Sequence, residues 1–92
     1  MKVKFSYHAI DRMRVRANKR ILTNELVDIS EYIEVRAYIH NYYKCLVSNF
    51  IHRDTSNPVV LVVDKQSRGV LTAMTDGPAV DDAVRLLSNK ML

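Results

Sequence analysis

Cysteine is nearly absent from this sequence: Cys45 stands alone among 92 residues, so no disulfide can form within the chain. A lone thiol fits a reducing compartment. Tryptophan is missing, and glycine and proline occur only twice each, which excludes collagen-like and low-complexity chains. No apolar run approaches the roughly 18 residues of a membrane span. The opening Met1-Lys2-Val3-Lys4-Phe5-Ser6-Tyr7-His8 lacks the apolar stretch of a secretory signal. Three histidines without Cys or carboxylate at ligand spacing make no zinc set. Asp81-Asp82 at a helix start is explained by the helix dipole. Neither a glycine-rich phosphate loop nor a nucleophile elbow is present. These absences lead to the expectation of a cytoplasmic protein with no membrane association, no metal and no cofactor.

What is present reads as one domain spanning residues 1–92, with 48% apolar and 26% charged residues. A chain of this size buries only roughly 60% of the surface its unfolded form exposes, so a partner would add stability. A homodimer through an edge strand or through the Met91-Leu92 tail is one such arrangement. The formal charge is +4 and unevenly distributed. Lys2, Lys4, Arg12, Arg14, Arg16, Lys19 and Arg20 face only Asp11 within the first twenty residues. A basic segment on a near-neutral body attracts phosphate backbones.

Residues 2–5 alternate polar and apolar and predict a short strand. Ser6 suits an N-cap, and Ala9, Ile10, Met13 and Ala17 form a helical stripe from Tyr7 to about Ala17. His8, Arg12 and Arg16 lie at i+4 steps along one flank, with Arg14 on the opposite side near Tyr7. After a turn at Asn18-Lys19-Arg20, Thr23 before Asn24-Glu25 predicts a second N-cap. Leu26, Ile29, Ile33 and Ala37 give a second helix ending between Tyr32 and Ala37. Tyr42–Ile51 reads as a long strand and Asp54–Asn57 as a turn. The run Val59–Val63 reads as a central strand covered on both faces. A connection from Asp64 to Gly69 leads into a strand over Val70–Met74, and Pro78 opens a last helix with the stripe Val80, Val84 and Leu87. The expected fold is α+β: a short strand, two helices, a three-stranded antiparallel meander and a C-terminal helix, with the helices on one face of the sheet.

The segment Ser6-Tyr7-His8-Ala9-Ile10-Asp11-Arg12-Met13, followed by Arg16, resembles the opening of a small bacterial and phage family of uncharacterised proteins that begin with a His-Ala-x-x-Arg-Met helix. A strand with a mid-strand Thr, here Val70-Leu71-Thr72-Ala73, continues the similarity. That family usually has Arg-Gly-Ile where this chain has Arg16-Ala17-Asn18. It is regarded as related to the RelE/ParE-type toxin fold, which includes endoribonucleases. The resemblance therefore implies a RelE-like sandwich and an RNA target, with the ribosome or a host protein as other partners.

RNA cleavage by internal transfer needs a base for the 2′-hydroxyl, donors for the phosphorane and an acid for the leaving oxygen. His8 can exchange protons near neutrality, and Arg12 and Arg16 can hold phosphate oxygens. With Thr72 as a donor, these four are the candidate catalytic residues. Arg14, Lys19, Arg20, His52 and Arg53 are candidate nucleic-acid contacts. Phosphate binding without catalysis, and a merely solvated helix flank, remain alternatives. Tyr38, Tyr42 and Tyr43 can stack bases or pack at an edge. Cys45 has no evident partner and reads as a buried thiol. The expected function is a small RNA-directed protein, either a metal-independent endoribonuclease of toxin type or a non-catalytic phage or bacterial inhibitor that docks on a host protein or nucleic-acid complex.

Overall fold

Val3 and Phe5 are buried while Lys2 and Lys4 are exposed, the alternation of a half-buried strand, β1 (Lys2–Phe5). The chain then turns at once into α1 (Tyr7–Ala17). Ser6 makes the turn possible by capping it: its hydroxyl accepts the Ala9 N–H at 3.1 Å. The computed structural model describes residues 2–29, 33–35 and 42–90. Within them follow β2 (Leu26–Asp28), β3 (Ile33–Glu34), β4 (Tyr43–Ile51), β5 (Pro58–Asp64), β6 (Gly69–Met74) and α2 (Pro78–Lys90).

The strands form one sheet in the order β2-β1-β6-β5-β4-β3. β1 runs antiparallel to β2 and parallel to β6, and the remaining pairs are antiparallel. The β5–β6 connection is held by the Asp64 carboxylate, which accepts the Gln66 and Ser67 N–H groups at 2.9 Å each. In β6 the register slips at Leu71, because Val63 pairs with Val70 and Val62 with Thr72. In β4 the register shifts between Val47 and Ile51. There the buried Ser48 hydroxyl donates to the Val59 carbonyl at 2.6 Å and accepts the Phe50 N–H at 3.2 Å. It thereby satisfies main-chain groups near the ladder irregularity.

Alternation along β5 divides the core into two layers. Val59, Leu61 and Val63 pack with Ala9, Met13 and Ala17 of α1 and with Val3, Phe5, Ile21, Ile29, Leu46, Val70 and Ala73. Val60 and Val62 point the other way and pack with Ala79, Val80 and Ala83 of α2 and with Val35, Cys45 and Val47. The two helices therefore cover opposite faces of the sheet, not the single face expected. Strands that are apolar on both sides need a cover on both. The sheet is also mixed rather than antiparallel, since β1 lies beside β6 in the same direction.

The expected second helix is replaced, within the described residues, by a turn and two short strands. Asn24 takes a left-handed φ of 65°. The Glu25 side chain accepts the Leu22 N–H at 3.1 Å, and the Glu25 N–H donates to the Leu22 carbonyl at 3.0 Å. Leu26–Asp28 then pairs along β1. Ile29 belongs to the helical stripe and to a period-two pattern alike, so the stripe was ambiguous. The open outer edge of β1 decides it: Val27 and Ile29 turn toward the core while Leu26 stays exposed. Within the span where the helix was expected to end, Ile33–Glu34 is strand β3, while residues 32, 36 and 37, Tyr38 and the Met91-Leu92 tail lie outside the described residues.

Removing the Ser6 hydroxyl removes two bonds, the one it accepts from the Ala9 N–H and the one it donates to the Leu71 carbonyl of β6. Urea unfolding at neutral pH should show Ser6→Ala destabilised by about 1–2 kcal/mol. A loss below about 0.5 kcal/mol, the ordinary range of a surface substitution, would contradict this role.

Candidate nucleic-acid interface

With Ala9, Met13 and Ala17 buried, the helical turn of about 100° per residue places His8, Arg12 and Arg16 along one flank of α1. Tyr7 and Arg14 fall on the other flank, and Asp11 and Val15 lie on the outer surface between. The ridge expected from the sequence thus exists, but its members are engaged differently. The Arg16 Nη1 donates to the Ala73 carbonyl at 2.7 Å, so this guanidinium clamps the helix to β6. Arg12, with its side chain 30% exposed, pairs with Asp11, and its Nε is buried without a hydrogen bond. Arg14 pairs with the same carboxylate at 3.0 Å but is 70% exposed. Bonds from Arg12 first and Arg14 second hold the Asp11 carboxyl below the ordinary aspartate range. His8 is exposed, and among the described residues none forms a hydrogen bond or ion pair with its ring.

Thr72 is not brought to this ridge. It pairs with Val62, whose side chain packs on the α2 side, so Thr72 lies on the face opposite α1. One face therefore holds three of the four candidate catalytic residues, two with their guanidinia already bonded to protein acceptors.

The candidate binding residues converge better. Asn18 closes α1 in the left-handed conformation, φ 50°, and the Lys19 N–H donates to the Met13 carbonyl at 3.1 Å. The exposed Lys19 ammonium lies 5.9 Å from the centre of the Phe50 ring. Phe50 precedes His52 and Arg53 by two and three residues, so the helix end and the β4–β5 turn share one end of the sheet. In that turn His52 Nδ1 and Thr55 Oγ1 are 2.9 Å apart, and the Arg53 Nε is 3.5 Å from Asp54. Left-handed Ser56, φ 61°, closes the turn through its N–H to the His52 carbonyl at 2.9 Å. Arg20 is exposed next to Ile21, which anchors the segment in the core. Lys19, Arg20, His52 and Arg53 form the basic end, with Asp54 as a carboxylate among them.

Two interactions here go beyond the sequence expectations. Asp11 was read only as a charge count, although an Asp–Arg pair at i, i+3 is a legible helix signal. The clamp made by Arg16 was not legible, because its acceptor is a main-chain carbonyl on a strand 57 positions away.

No protein-family model, curated protein or solved structure matches this chain. Among the described residues no helix is long and apolar enough to cross a membrane, and no group of three or more His, Cys, Asp or Glu is placed to hold a metal ion.

Arg16→Ala breaks a charge-assisted hydrogen bond and should lower the unfolding free energy by about 1.5–3 kcal/mol. His8→Ala should stay within about 0.5 kcal/mol of the wild type. Chemical denaturation of the two variants in parallel checks this, and equal losses would contradict the division of roles along the ridge.

Proposed function

We propose that this protein binds the phosphate backbone of RNA through the basic end of α1 and the β4–β5 turn, with Lys19, Arg20 and Arg53 as the principal contacts. The observation that carries the reading is the convergence of these exposed cations at one end of the sheet. Phosphate binding of this kind needs only cations that can exchange their counterions, and it weakens as salt rises. RNA rather than DNA is favoured by the resemblance of the His8-to-Arg16 helix to the RelE-related family. A RelE-like architecture belongs to the same proposal. The opening strand and helix and the β4–β5–β6 meander support it, whereas the closing helix after Thr72 is not a standard part of that family's pattern. The strands found where a second helix was expected depart from it.

Binding is favoured over strand cleavage. Catalysis by His8 would require Arg12 and Arg16 to turn toward a phosphorane, yet Arg12 neutralises Asp11 and Arg16 holds the Ala73 carbonyl. Thr72 faces the other side of the sheet. His8 itself is exposed and sits about 12 Å along the helix axis from Arg16, too far for both to act on one phosphate without side-chain rearrangement.

Fluorescence anisotropy with a labelled single-stranded RNA, repeated over a salt series, tests the reading. Affinity should fall with salt, with a log–log slope of about 0.7 for each phosphate contacted. The Lys19→Gln, Arg20→Gln double variant should reduce that slope by about 1.4, because two contacts are lost. RNA recovered from the mixture should be intact, and His8→Ala should bind as the wild type does. Absence of binding at low salt would overturn the proposal, and cleavage that disappears in His8→Ala would replace it with the catalytic reading.

A further inference from the structure

The opposite end of the sheet carries a second grouping that the basic end of α1 does not explain. Tyr42 and Tyr43, at the start of β4, are 69% and 40% exposed. Their rings meet edge to face, with centroids 6.4 Å apart and planes at 64°. The Tyr42 carbonyl accepts the Lys65 N–H at 3.0 Å, which fixes the tyrosines beside the β5–β6 hairpin and its exposed Lys65 and Arg68. Tyr43 pairs with Asp64, and Lys4 pairs with Gly69 on the far side of that hairpin. Tyr43 and Lys4 therefore end one row across four strands, separated by about 14 Å at the usual strand spacing. Both belong to the α2 face, since Tyr43 lies two residues from Cys45 and so shares its face, while Lys4 lies between Val3 and Phe5 and so faces away from the α1 side. Gly69, between them, raises no side chain from the row.

We infer that this row, with the residues that border it, is a binding strip for single-stranded RNA, in which bases stack on Tyr43 and on its ring partner Tyr42 while Lys4 in the row and Lys65 and Arg68 of the adjoining hairpin meet the phosphates. Exposed aromatic rings flanked by cations are the arrangement that holds unpaired bases without reading their sequence. The carboxylate in the row, Asp64, accepts the Gln66 and Ser67 N–H groups of the hairpin, which hold it in its ionised form, so the cations of the strip flank one fixed negative charge. A protein partner fits less well, because protein interfaces are depleted of lysine and aspartate, whereas Lys4, Asp64 and Lys65 stand along this end of the sheet. The inference rests on the RNA reading given above and adds that the RNA is unpaired where it crosses β4.

The test uses an oligouridine about a dozen nucleotides long and a duplex RNA of the same length, binding the full chain at low salt. Tyr42→Ala and Tyr43→Ala should each weaken oligouridine binding by about ten-fold and leave the salt dependence unchanged, since stacking releases no counterions. Tyr42→Phe and Tyr43→Phe keep the ring face and should retain wild-type affinity. Because the chain has no tryptophan, its intrinsic emission comes from tyrosine, and oligouridine should quench it in the unaltered protein. This second readout needs no variant to fold. RNA binding with normal salt dependence, no quenching and no loss in the alanine variants would overturn the strip while leaving the basic end of α1 in place. An equal loss on duplex RNA would also overturn it. A chain that binds no RNA at all would remove both readings.

Discussion

β6 continues from Leu71 to Met74 beyond the point where its pairing with β1 ends. A strand edge left open there would expose carbonyl groups that need donors. Ser6 and Arg16 supply them. The Ser6 N–H donates to the Val70 carbonyl at 2.9 Å and its hydroxyl to the Leu71 carbonyl at 3.1 Å, while Arg16 takes the Ala73 carbonyl at 2.7 Å. The register slip at Leu71 and the capping of α1 are thus linked through one serine. The helix leaves β1 at its last residue, lies over the face beside the open half of β6, and delivers its C-terminal end to Phe50. Every surface feature of functional interest on that side follows from this docking, because it determines which flank of α1 is spent on the sheet and which remains in water.

The same constraint explains why a basic ridge visible in the sequence is not a ready catalytic set. A helix flank next to a sheet edge is where an arginine finds main-chain acceptors, and Arg16 is used in that way. Arg12 and Arg14 share Asp11, and this grouping is sensitive to acid. Because the Asp11 carboxyl is held below its ordinary value, its contribution to stability is present above the usual aspartate range and is lost as pH falls through the depressed value. Beyond the helix end, Lys19 and Arg20 form no ion pair among the described residues, while Arg53, 65% exposed, lies 3.5 Å from Asp54.

Much of the fold was legible because local signals agreed with one another. Ser6 as a cap, the Ala9-Met13-Ala17 stripe, the Asp64–Gly69 connection and Pro78 at a helix start each combine a period with a boundary residue. The Val59–Val63 run correctly asks for cover on both faces, and from it the opposite placement of the two helices was within reach. Leu26–Ile29 misled because four residues satisfy two periods, and only the vacant edge of β1, a tertiary fact, chooses between them. Of the site, the flank shared by His8, Arg12 and Arg16 was legible from helical spacing. The face occupied by Thr72 was not, since a one-residue slip in β6 decides it.

The proposed RNA contacts lie at the two ends of the sheet, and the His8 flank of α1 lies outside them. The most direct test is a 15N–1H correlation spectrum of the protein titrated with single-stranded RNA. Amide shifts should concentrate at Asn18–Arg20 and His52–Arg53 and at Tyr42–Lys44 with Lys65–Gly69, while the first turn of α1 and the buried strand β5 change little. Shifts confined to His8, Arg12 and their neighbours, with both sheet ends unmoved, would contradict this placement.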